Sequence, residues 1–130
     1  MRSLGKEQEK IACYDRALEL NPGYANAWNN KGLALGNLGK HQEAIACYDR
    51  TLEINPKCAE AWYNKGNALY KLGRLQEAIT CFDIALEIDP KNANTWFSKG
   101  FALYDLGRDQ EAITCFERIS ELRGDKLSAS

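Results

Sequence analysis

The sequence predicts an all-α fold of stacked antiparallel helix pairs, about seven helices in all, and three observations lead there. The phrase AWNNKGLALGNLGKHQEA at 27–44 returns as AWYNKGNALYKLGRLQEA at 61–78 and as TWFSKGFALYDLGRDQEA at 95–112, a fixed interval of 34 residues. Inside each copy, apolar and small residues recur three or four apart, the period of a helix with one buried stripe. Glycine and proline punctuate the copies at constant places: Gly39, Gly73 and Gly107 midway, Pro22, Pro56 and Pro90 at the joints. A single helix pair cannot bury its own apolar stripe, so neighbouring pairs stack and share one continuous core.

The elements follow in order. The first, at about 6–20, belongs to a half copy, LGKEQEKIACYDRALELNP, which makes residues 1–24 a half repeat holding only a second helix. Three full units follow at 25–58, 59–92 and 93–126, with a short tail at 127–130. Their helices are expected at 25–38 and 41–54, at 59–72 and 75–88, and at 93–106 and 109–123. In the middle unit Trp62, Gly66 and Leu69 share one face, and Gly73 supplies the left-handed residue that ends the helix. The second helix repeats the spacing with Leu75, Ala78, Ile79, Phe82, Ala85 and Leu86, then stops at Asp89-Pro90, because proline lacks the donor a continuing helix needs. Asn55 and Asp89 are candidate caps for the helices that follow them. Gly66 and Ala78 carry almost no side chain, so the paired helices approach closely, with Trp62 and Phe82 filling the space beside the contact. A mid-helix glycine costs about 1 kcal/mol against alanine. Three glycines in one register therefore imply that close packing outweighs the penalty.

Composition narrows the function classes. The 130 residues make one domain of ordinary hydrophobic content (45%), and a net charge of −1 gives no field directed at nucleic acid or a membrane surface. No apolar run is long enough to span a bilayer, and the first ten residues lack the apolar stretch of a secretory signal, so a soluble, cytoplasmic protein is expected. Cys13, Cys47, Cys81 and Cys115 recur at intervals of 34 and Cys58 stands apart, with no CxxC pair and a single histidine, His41. Metal-ligand spacing is missing, and equivalent positions in stacked pairs lie two helix layers apart, too far for a disulfide. Small, semi-buried core thiols in a reducing compartment are the expectation, with no bound metal and no cofactor. Glu43, Glu77 and Glu111 read as helix-favouring surface charge in a first turn, and no nucleophile–base pair or phosphate loop is present. The chain is expected not to be an enzyme.

Trp62, Gly66, Leu69, Gly73, Ala78, Phe82, Ala85 and Pro90 resemble, in order and spacing, the signature of the tetratricopeptide repeat family. The resemblance covers nearly the whole chain, about three and a half units. It implies a right-handed α-α superhelix. Departures are local: Lys31, Lys65 and Lys99 stand where the family usually has leucine, and Thr51 and Ile119 replace a small alanine. A lysine stem can lie on apolar surface with its ammonium in water.

The same resemblance implies a function. Such proteins present the first helix of each pair to a concave groove that holds peptide segments of partners. By that analogy the groove residues here include Asn30, Tyr63, Asn64, Asn67, Tyr70, Asn94, Phe97, Phe101 and Tyr104, grading from amides to aromatics along the chain. Asparagine can pair with both peptide N–H and C=O, while Tyr and Phe add apolar area with little entropy to lose. The lysine and arginine clamp that some family members use for chaperone C-termini is missing, since Asn29, Asn94 and Ser98 stand at its basic positions. A protein scaffold binding a partner's peptide is therefore the expected function, with no nucleic acid and no membrane partner. The alternative is a self-assembly module, a homo-oligomer formed through the terminal helices, with Tyr14, Ile113 and Phe116 as the contacts.

Overall fold

The computed structural model of the chain describes residues 2–124; the expected tail at 127–130 lies outside them. Those residues form seven α-helices and no strands: α1 Arg2–Leu20, α2 Ala25–Asn37, α3 His41–Ile54, α4 Ala59–Lys71, α5 Leu75–Ile88, α6 Ala93–Asp105 and α7 Asp109–Leu122. Each helix packs on its neighbours in sequence, and the first helices of the pairs also touch one another, α2 with α4 and α4 with α6. Pairs α2–α3, α4–α5 and α6–α7 thus stack behind α1 as an α-α solenoid, with α2, α4 and α6 forming its inner layer. Among the described residues no helix is long and apolar enough to cross a membrane.

Local chemistry sets the helix ends. Gly39, Gly73 and Gly107 take φ near +80° (80, 80 and 82°), where a side chain would be strained. In the middle unit the Gly73 N–H then donates to Tyr70 and the Arg74 N–H to Leu69, closing orphan carbonyls of α4. Two expectations are corrected here. Helix α1 begins near Arg2 rather than at about residue 6. Asn55 and Asp89 do not cap the following helices; their side chains accept from the N–H groups of Lys57 and Lys91, turning the loop. The N-caps are Cys58 and Asn92, and Asn92 alone of that pair caps with its side chain, on the Asn94 N–H at 3.0 Å.

The core runs unbroken from Leu35 to Cys115 through all three pairs. The mid-helix glycines are seats for rings: a Cβ on Gly66 would lie 2.5 Å from Phe82, and Gly32 and Gly100 face Tyr48 and Phe116 at the same 2.5 Å. Phe82 therefore lies on the glycine instead of beside it. Trp62 is only half-buried; its Nε1–H donates to the Pro56 carbonyl at 2.9 Å, pinning the joint between units.

Lys31, Lys65 and Lys99 are not left in water. Each ammonium reaches an aspartate of the preceding pair, Asp15, Asp49 or Asp83, at 2.7 Å. Each also lies 5.5–5.7 Å from the centre of the tryptophan three residues earlier, within cation–π range. The replacement of leucine by lysine thus exchanges apolar packing for one tie per joint. Thr51, in place of alanine, is 1% exposed and bonds the Cys47 carbonyl at 3.2 Å.

Candidate functional site

The inner layer carries three consecutive pockets, one at each crossing of the solenoid. The front pocket, about 230 Å³, lies between α1 and α2 and includes Glu7, Lys10, Tyr14 and Asn30. The middle pocket, about 150 Å³, lies between α2 and α4 and includes His41, Asn64, Asn67 and Lys71. The rear pocket is the largest, about 410 Å³, between α4 and α6, walled by Tyr63, Tyr70, Phe97 and Phe101 with Asn67, Lys71 and Ser98. The pockets follow from the repeat: residues 34 apart face the same way on successive first helices, so each crossing presents the same register with different side chains.

The groove residues expected from the sequence divide accordingly. Tyr63, Asn67, Tyr70, Phe97 and Phe101 come together in the rear pocket, and Asn30 lies in the front one. Asn64 lines the middle pocket but is buried, its Nδ2 donating to Asn29 Oδ1 at 3.1 Å. Asn29, which should also face the groove by register, is 4% exposed and spent on that bond. Asn94 and Tyr104 are exposed but line none of the three pockets. His41 was not anticipated, because it starts a second helix. Its signal was variation: Leu75 and Asp109 stand at the same register within an otherwise repeated phrase.

The terminal residues also sort themselves. Tyr14, on the first helix of the stack, is half-buried and lines the front pocket. Phe116 is half-buried, its ring against Gly100 and 5.6 Å from the Phe101 ring, so it supports the groove floor. Only Ile113, 48% exposed, stands open as expected of an end residue.

The aromatic wall is well ordered by its own contacts. Phe97 and Phe101 meet edge to face at 4.8 Å, a favourable arrangement of the ring quadrupoles. Tyr70 donates its hydroxyl to Asp105 Oδ2 at 2.5 Å, tying α4 to α6, and that bond raises the Tyr70 pKa above the ordinary phenol value. Burial raises the thiols of Cys47, Cys81 and Cys115, Cys81 to about 11, so these stay neutral. Cys13, expected as a semi-buried core thiol, is exposed, because the helix that would cover its register is missing from the half unit. Among the described residues no three or more metal-ligating side chains converge.

Two tetratricopeptide repeat models match the chain, one over 31–93 and another over 13–46 and 81–114. The second of these alone covers more than half of the sequence. The chain belongs to the tetratricopeptide repeat family. No curated protein matches this tetratricopeptide repeat chain closely. Solved structures do. A crystal structure of MamA superposes with TM-score 0.86 at 21% identity, covering 95% of this chain and 72% of that one. MamA from Desulfovibrio magneticus RS-1 gives 0.86 at 23%, covering 95% and 70%. MamA AMB-1 gives 0.78 at 28%, covering 88% and 68%. These similarities establish the solenoid fold.

Proposed function

We propose that this tetratricopeptide repeat chain is a protein–protein interaction scaffold that holds a peptide segment of a partner in its concave groove. One observation carries the reading. Phe97 and Phe101, 51 and 41% exposed, line the largest of the three pockets, and Tyr104, 60% exposed, follows them on α6. Large aromatics left open together on a soluble solenoid mark a binding surface, because exposing them to water is unfavourable. The units behind that groove are 25–58, 59–92 and 93–126, following the half unit 1–24. In this reading the protein is cytoplasmic and non-enzymatic, uses no cofactor or metal, and engages neither nucleic acid nor membrane.

The rear aromatics, Tyr63, Tyr70, Phe97, Phe101 and Tyr104, contribute most of the binding energy, each truncation of a buried anchor costing about 2 kcal/mol or more. Asn30 and Asn67 set register through backbone pairing at about 1 kcal/mol each. Asn94 flanks the ligand's exit, and Asn64, one amide bond already committed, contributes less than its neighbours. The test is a peptide-array screen followed by Tyr70→Ala and Phe101→Ala. Both substitutions should weaken every binder at least tenfold. Binders indifferent to both, yet lost on changing the outer helices, would refute the groove.

A second reading, self-assembly into a homo-oligomer, is favoured by Ile113 of α7, 48% exposed where Ile45 and Ile79 in the same register are 7 and 3%. The next pair covers those two. Phe116 would stiffen such a contact from behind and Tyr14 would meet it from the other end. Asp109 and Ser120, standing where the middle unit has Leu75 and Leu86, oppose it. Light scattering should then show dimers or larger species that return to monomer with Ile113→Glu. A monomer at about 100 μM, association weaker than about −5.5 kcal/mol, removes this reading.

A further inference from the structure

We propose that the segment held in the groove carries a carboxylate beside a large apolar side chain, the carboxylate paired with Lys71 and the apolar group seated between α4 and α6. The proposal rests on the groove reading and deepens it by naming the ligand's chemistry.

Lys71 is the residue on which the argument turns. It ends α4 and lines both the middle and the rear pocket, so the residue stands between them. The other lysines near the inner layer are engaged. Lys10, in the front pocket, closes on Glu7 at 3.5 Å, and Lys31, Lys65 and Lys99 are bound to Asp15, Asp49 and Asp83. Among the described residues Lys71 has no such ion pair. An unpaired cation at the rim of an apolar pocket attracts an anion, and a carboxylate gains charge-assisted hydrogen bonds there.

The rear rim has the opposite sign. Asp105 occupies the register of Lys71 one unit later, 34 residues on. It accepts the Tyr70 hydroxyl at 2.5 Å, so its carboxylate is held beside the aromatic pocket and the hydroxyl is already used. A second carboxylate brought to that side would be repelled. Cation, apolar pocket and anion therefore follow one another along the groove. A segment whose acid lies toward the front fits this order, and one whose acid lies toward the rear does not, so charge selects one chain direction for a given segment. The carboxyl-terminal clamp of chaperone binders would need cations at 29, 94 and 98. Here a single cation at a different register reads a side-chain carboxylate instead.

The probes are fluorescein-labelled peptides with a central Leu-Phe pair in a Gly/Ser background, carrying Asp, Lys or Ser two residues before or after it. They are titrated by fluorescence polarisation, at low salt and up to about 1 mM protein, against wild type, Lys71→Glu and Phe101→Ala. Lys71 is exposed, so its replacement should leave the helical circular dichroism spectrum unchanged. Wild type should prefer the better-placed Asp peptide to its Lys counterpart by about fivefold, the size expected of one solvent-screened pair. Lys71→Glu should reverse that preference, whereas Phe101→Ala should weaken all peptides alike. If the Asp preference is absent, or survives Lys71→Glu while Phe101→Ala still weakens every peptide, the charge inference fails and the groove stands. If no peptide binds, or Phe101→Ala changes nothing, both fail together.

Discussion

Replacing Gly66 by alanine sets two effects of opposite sign against each other, and the structure decides which wins. On helix propensity alone the substitution should stabilise α4 by about 1 kcal/mol. The new Cβ, however, would lie 2.5 Å from Phe82 Cε1 and 2.7 Å from Cδ1, well inside contact distance. Phe82 is 0% exposed and has nowhere to turn. Overpacking a filled core costs about 1–3 kcal/mol, occasionally more. A backbone-borne methyl against an immobile ring belongs at or beyond the upper end of that range. The net expectation is a loss of about 2 kcal/mol, read as a lower urea midpoint and a Tm lowered by several degrees. Gly36→Ala is the control, since its Cβ would meet only the Tyr48 hydroxyl at 3.9 Å. That variant should be more stable than wild type by up to about 1 kcal/mol. Gly100→Ala should be milder than Gly66→Ala, because its neighbour Phe116 is only half-buried and can shift. A stabilised Gly66→Ala protein would refute the claim that these glycines exist to seat rings.

Trp62→Ala should cost about 2–3 kcal/mol by urea denaturation, below the upper values for a fully buried aromatic because the indole is half-buried, even though its loss also frees the Pro56 carbonyl; a cost under about 1 kcal/mol would mean the joint does not depend on it. Titration with a thiol reagent at neutral pH should find Cys13 fast and Cys47, Cys81 and Cys115 slow, matching their exposure. The same burial makes stability depend on alkaline pH. Burial holds the folded Cys81 pKa at about 11, above the ordinary thiol value of 9.0, so the native state holds its proton more tightly. Its contribution is complete below pH 9 and is lost as pH rises towards 11, so the Tm should fall across that window, less steeply in Cys81→Ala.

The fold was legible in the sequence because the repeat states it several times over. Helix period, the Gly73 stop and the Pro90 joint are local properties, and each depends on residues within one turn of the chain. Even the groove's aromatic end could be read, since Phe97 and Phe101 lie four apart on a first helix and register alone aims them inward. Pairings between units were not legible. Lys65 and Asp49, or Tyr70 and Asp105, meet only because stacking brings α4 against α3 and α6, and the helical period says which face a residue occupies without saying what stands opposite. Asn29 and Asn64 read as two free amides and prove to be one buried pair for the same reason. Tyr14 and Cys13 show the effect of a missing neighbour: identical in type to Tyr48 and Cys47, they differ in exposure because burial belongs to the neighbour as much as to the residue. The sequence by itself determined the helices, their order and the faces they turn inward. Only the tertiary structure decided which of those inward groups remain unpaired for a ligand, because that depends on distances between helices that no single stretch of chain encodes.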